Sequence, residues 1–243
     1  MASTSETGHA KNVANFQDLI AFVTSYGTIY NPSKNALKLA QLTSLQTAAQ
    51  TKIADVVAKN TTFNNAVNDR MTAFGGLKSL STRLVNALES TDAAKEKIND
   101  AKNFNRKLQG KSAAPAAPPT DPNTPAPTSI STSQQSYDQQ IQHFAGLISV
   151  LQSEASYTPN ENDLKIATLS AKQADLVAKN NAVSTAYTNV SNSRIARNKT
   201  LYDPTTGLVD TALEVKSYIK SIFGASSPEY KQVSKIQFKN IKK

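Results

Sequence analysis

The chain carries one pattern twice. Phe16, Leu19 and Ile20, followed by the run from Tyr30 to Leu42, return as Phe144, Leu147 and Ile148 followed by the run from Tyr157 to Leu169. Val57-Ala58-Lys59-Asn60 matches Val177-Ala178-Lys179-Asn180, and Asn68-Asp69-Arg70 matches Asn192-Ser193-Arg194. The stretch from Leu80 to Ile98 matches that from Val215 to Val233, with Leu84 opposite Ile219, Leu88 opposite Phe223 and Asp92 opposite Ser227. Apolar positions are kept while polar ones drift, as a duplicated packing scaffold requires, so the pattern speaks of architecture before it speaks of a pocket.

Inside each copy the apolar spacing is helical. Leu42, Leu45, Ala49, Ile53, Val56, Asn60, Phe63, Val67, Met71 and Phe74 advance by threes and fours, close to the 3.6-residue period of one helix face. They predict a helix of about 40 residues, roughly 60 Å long at ~1.5 Å per residue. In the second copy Leu169, Leu176, Val183 and Val190 recur every seven, flanked by Ile166, Gln173, Asn180 and Tyr187, a coiled-coil-like seam. Gly75-Gly76 and the run from Asp203 to Gly207 interrupt the long helices. A shorter helix is expected to end near Glu89 or Gly224, and a last one to start after Asp92 or Ser227. No strand alternation is present. The expected fold is an all-α, elongated helical bundle built from an internal duplication.

Prolines divide the chain. Six of the ten fall between Pro115 and Pro127, in a polar segment that reads as an extended spacer rather than a docking ligand, with a reach of about 40 Å at ~3.1 Å per residue. The expected organisation is a first helical repeat over 1–110, a proline-rich linker over 111–130, and a second repeat over 131–243 with a basic C-terminal helix. Pro32, Pro159 and Pro228 are expected in first helical turns, after the capping residues Asn31, Thr158 and Ser227, with Glu161 completing a capping box.

Catalytic chemistry finds little to stand on. The chain has no Cys, which removes disulfides, thiol nucleophiles and thiolate metal sites. Its two histidines, His9 and His143, have no His or Cys partner one helical turn away. No Walker loop, G-x-G-x-x-G, G-x-S-x-G or H-E-x-x-H occurs. The carboxylate pairs Glu161 with Asp163 and Glu96 with Asp100 suit first turns and solvated faces. An enzyme is not expected, nor a cofactor or metal. The opening has no basic segment followed by an apolar one, and apolar stretches such as 144–151 are too short to span a bilayer, so a cytoplasmic protein without a transmembrane segment is expected.

Three polar features stand out. Asn60 and Asn180 sit at apolar seam positions, where pairing with another buried amide would fix register. The shared Asn-x-Arg, with Arg70 and Arg194, and Arg197 one turn on, reads as an internal salt bridge, with a carboxylate or phosphate as the alternative partner of Arg194 and Arg197. The opening from Ser5 to Phe16 is polar for a core segment, and Thr7 is expected as its helix N-cap.

That opening, the start from Tyr30 to Lys34, the run from Asn192 to Asn198 and the tail from Ser226 to Lys235 together resemble a family of uncharacterised bacterial proteins of similar length. The resemblance spans nearly the whole chain outside the linker. It implies a bacterial source and one duplicated helical body, and it implies no activity, cofactor or site residue.

Charge sets the remaining expectation. The formal net charge is +9, and from Val215 onward seven lysines face one acid, Glu229, a local surplus of six. Lys231, Lys235 and Lys239 step by four and are expected on one face of the final helix, with Lys242 and Lys243 following. The reading is a non-enzymatic helical scaffold or interaction protein with a protein partner. The alternative is a basic module that binds nucleic acid or an anionic membrane surface through these lysines.

Overall fold

A computed structural model describes residues 4–111 and 135–240. The proline-rich segment 112–130 therefore lies outside the described residues, as do Lys242 and Lys243. All the regular elements described are helical. The helices are α1 (Thr4–Ser25), α2 (Leu39–Phe74), α3 (Leu77–Glu89), α4 (Lys95–Gln109), α5 (Tyr137–Gln152), α6 (Ile166–Tyr202), α7 (Leu208–Phe223) and α8 (Pro228–Ser234), with 3-10 turns at Gly27–Ile29, Asn35–Leu37 and Asn162–Leu164. None of these helices is long and apolar enough to cross a membrane.

The local signals act where expected at most helix ends. Gly75-Gly76 separates α2 from α3, and α6 gives way to α7 across 203–207. Ser136 and Ser227 cap α5 and α8 by accepting the N–H of Gln139 and Tyr230, and Pro228 occupies the first turn of α8. Thr7 is not an N-cap, because α1 begins at Thr4.

Pro32 and Pro159 depart from expectation as well. Each precedes a 3-10 turn rather than a long helix, and α2 and α6 start only after the extended residues Lys38 and Lys165. Glu161 leads into its 3-10 turn with no side-chain cap, so there is no capping box. What organises both loops is a buried phenol. The Tyr30 hydroxyl donates to the Leu37 carbonyl at 2.8 Å, and that of Tyr157 donates to the Leu164 carbonyl at 3.0 Å. Burial raises both phenols, that of Tyr157 to about 12.

The chain forms two compact units, one of residues up to Phe63 with those from Ala186 onward, the other Asn64–Thr185. The first unit buries Phe16 and Leu19 of α1, Leu42 and Ala49 of α2, and Leu208, Val215 and Ile219 of α7. The second buries Leu77, Leu84 and Leu88 of α3, Leu108 of α4, Phe144 and Leu147 of α5, and Leu169 and Leu176 of α6. Each unit thus combines residues from before and after the proline-rich segment, so the compact units are not the two sequence copies. The apolar face of α1 packs on α7, and α5 packs on α3 and α4.

The seven-residue seam of α6 is buried at Leu169, Leu176, Val183 and Val190, as the heptad spacing demands. Tyr187 is not part of it: its ring is 63% exposed and stands 6.1 Å from that of Phe63. In the second unit α4 and α5 approach closely at Gly146, where a Cβ would stand 2.3 Å from the Phe104 ring.

Candidate functional site

The opening of α1 carries the most specific polar arrangement of the first unit. His9, Asn12, Phe16, Leu19 and Val23 continue one stripe with three- and four-residue steps, and all are buried. The polar residues at the head of this stripe, with Asn15 beside it, hold other parts of the chain. The His9 Nδ1 stands 2.6 Å from the Tyr202 hydroxyl, and Asn12 Nδ2 donates to that hydroxyl at 3.2 Å. Asn12 also receives the Lys239 N–H on its Oδ1 at 3.0 Å and donates from Nδ2 to the Lys239 carbonyl at 2.7 Å. Asn15 donates to the Gln237 carbonyl at 2.6 Å. These asparagines are only 2% and 8% exposed. From α7, Lys216 donates to the carbonyls of Ser234 and Ile236, and burial lowers its pKa. Phe238 places its ring edge-on to Phe16 at 6.4 Å.

This seat changes the reading of the C-terminal lysines. Helix α8 ends at Ser234, so Lys231, Lys235 and Lys239 do not share a helix face: Lys231 is on the helix, Lys235 ends it, and Lys239 lies in the tail held by Asn12. All three side chains are exposed. The tail leaves helical geometry because its main chain is bonded by α1 and α7, while Ile236 and Phe238 pack on the core.

The seam asparagines and the Asn-x-Arg arginines, two features with no visible link in the sequence, bond each other. In the first unit Arg194 donates to Asn60 Oδ1 at 3.3 Å. In the second, Arg70 donates to Asn180 Oδ1 at 3.0 Å, and Asn180 donates in turn to Asp138 at 2.8 Å. The Arg70 guanidinium also lies 4.0 Å from the centre of the Tyr137 ring. Neither expected partner, an amide for asparagine or a carboxylate for arginine, is the one used here. Arg197, only 4% exposed, donates to Asn198 Oδ1 from both Nε and a terminal nitrogen. It is enclosed rather than presented to an anion in solvent.

Elsewhere the polar groups also bind within the fold. Ser81, Asn105 and Gln109 form a chain of hydrogen bonds between α3 and α4. His143 is buried on α5 with its Nε2 unpartnered, and burial together with Lys107 lowers its pKa. Among the described residues no group of three or more His, Asp or Glu side chains is placed to hold a metal ion. Comparison with protein-family models, with curated proteins and with solved structures finds no match.

The sequence marks the opening that holds Asn12 and Asn15 as polar and counts Lys216 among the C-terminal lysines, but it assigns none of the three the partners they have here. The signal was present in part: His9 and Asn12 extend the apolar stripe of α1, and polar residues on a buried face need partners.

Proposed function

We propose that this protein is a non-enzymatic helical scaffold that binds a protein partner along its long helices. The observation that carries the reading is exposure on the first unit's share of α2 and α6. Val57, Tyr187 and Ile195 are 61%, 63% and 55% exposed, on helices whose inward residues Leu42, Ala49, Val56 and Val190 are already buried. Large apolar side chains on helices with complete buried faces suit contact with another protein. Of the buried polar side chains named above, His9 and Ser81 hold helix to helix and Asn12 and Asn15 hold helix to tail, which is a structural use. A descent of the two long-helix regions from one duplicated unit is part of the same proposal. The matched Tyr30–Leu37 and Tyr157–Leu164 bridges support it.

A photo-crosslinking residue placed at Val57 or Ile195 in the full chain, activated in the producing cells, tests this reading. A discrete protein adduct, reduced when Tyr187 is changed to Asp, is expected. Absence of any adduct at both positions overturns it.

A second reading, binding of nucleic acid or an anionic membrane surface, draws on the exposed Lys231, Lys235 and Lys239, which form no ion pair among the described residues. It predicts affinity that falls steeply with salt or retention by anionic but not neutral vesicles.

A further inference from the structure

The C-terminal tail is bound as a peptide ligand would be bound. Asn12 offers one donor and one acceptor to the N–H and C=O of a single residue, Lys239, just as a neighbouring strand does in an antiparallel ladder. Three residues earlier along the tail, Lys216 reaches the Ile236 carbonyl at 2.9 Å, and Asn15 takes that of Gln237. Bonds to α1 at 237 and 239, with Ile236 and Phe238 turned to the core, are the two-residue alternation of extended backbone. Every one of these hydrogen bonds goes to main-chain atoms of the tail. The side-chain requirement is two apolar residues spaced two apart.

We propose that this seat is a peptide-binding site that takes an extended apolar-x-apolar segment of a protein partner, and that the chain's own tail fills it when no partner is present. The chemistry favours such a ligand for two reasons. Main-chain recognition tolerates sequence while apolar pockets select the spacing, the mode by which extended peptides join a sheet edge. The asparagines stay buried only while an extended segment satisfies them, because an unpaired buried amide is costly. The tail, tethered through α8, competes at an effective concentration on the order of millimolar, so a partner segment displaces it only when it binds tightly or is itself presented at high local concentration. This inference names the kind of partner and rests on the interaction reading above for its biological setting.

The test uses the full chain with Phe238→Asp, which dislodges the tail, and a fluorescent peptide copying residues 234–240 as the probe. Anisotropy is expected to report binding to the variant at least about tenfold tighter than to the parent chain, whose tail competes. Adding Asn12→Ala is expected to weaken it about tenfold, and a peptide with proline in place of Lys239, which lacks the required N–H, is expected not to bind. Equal binding by parent and variant, or indifference to Asn12→Ala, overturns the proposal. Should the variant lose its helical circular dichroism, hydrogen exchange on the parent chain decides. Millimolar unlabelled peptide is expected to take the tail's place on Asn12 and accelerate exchange of the chain's own Lys239 amide, which Asn12 otherwise accepts, and unchanged protection overturns the proposal. Failure here leaves the cross-linking result at Val57 and Ile195 to stand or fall separately.

Discussion

Asn12 and Lys239, 227 positions apart in the chain, pair edge to edge through two hydrogen bonds of 3.0 and 2.7 Å. A buried amide that satisfies both main-chain groups of one residue is costly to remove, since the peptide groups it leaves must find water or stay unpaired. Asn12→Ala is expected to lower stability by about 2 kcal/mol, measured by urea unfolding. Loss of less than about 0.5 kcal/mol would mean the pairing is incidental.

The two Arg–Asn pairs differ in depth, and their substitutions should differ accordingly. Arg70 is half-buried, bonded to Asn180 and stacked on Tyr137, whereas Arg194 is exposed with a longer bond to Asn60. Arg70→Ala is expected to cost about 2 kcal/mol and Arg194→Ala less than about 1. Equal losses in thermal or urea unfolding would remove the distinction.

Gly146 lets α5 approach Phe104 of α4. A methyl group there would meet the Phe104 ring at 2.3 Å, and overpacking of this kind costs about 1–3 kcal/mol. Gly146→Ala is expected to destabilise the chain by that amount, and Phe104→Leu in the same chain to recover part of the loss. Additive losses in the double variant would place the strain elsewhere.

His143 sets a pH dependence with a definite sign. Its pKa is lowered from the ordinary 6.5 by burial and by Lys107. As pH falls below that value the unfolded chain takes up a proton that the folded chain resists, so stability declines on going from about pH 7 to about pH 5. Above the ordinary value the group contributes nothing. The lowered carboxylates Asp163, bonded by Arg83, and Glu154, bonded by Ser156, lose their contribution only at more acid pH, in a separate window. His143→Gln is expected to flatten the urea midpoint across the upper window, and an unchanged slope would assign it to another group.

Both cores draw on segments from either side of the proline-rich stretch. A protease site introduced between residues 112 and 134 and cut in the folded protein should give two fragments that co-elute without denaturant and separate in it. Fragments that part under native conditions would contradict the interleaved cores.

Local and periodic features were legible in the sequence. The buried heptad Leu169, Leu176, Val183 and Val190 follows from spacing alone, because every helix of that period presents those residues on one side. The breaks at Gly75-Gly76 and after Tyr202, and the Ser227-Pro228 start, follow from backbone preferences that act within a few residues. Pro32 and Pro159 misled because a first-turn proline and a proline before a 3-10 turn satisfy the same local rule, and the choice was made by the buried phenols of Tyr30 and Tyr157. The lysine stripe failed for a similar reason: a four-residue step predicts a face only if the helix continues, and α8 ends where α1 and α7 capture the main chain. Which helix packs on which, which asparagine receives which arginine and which turn of α1 holds the tail were decided by tertiary structure alone. Each depends on burial that satisfies polar groups from distant parts of the chain, and such partners leave no period in the sequence.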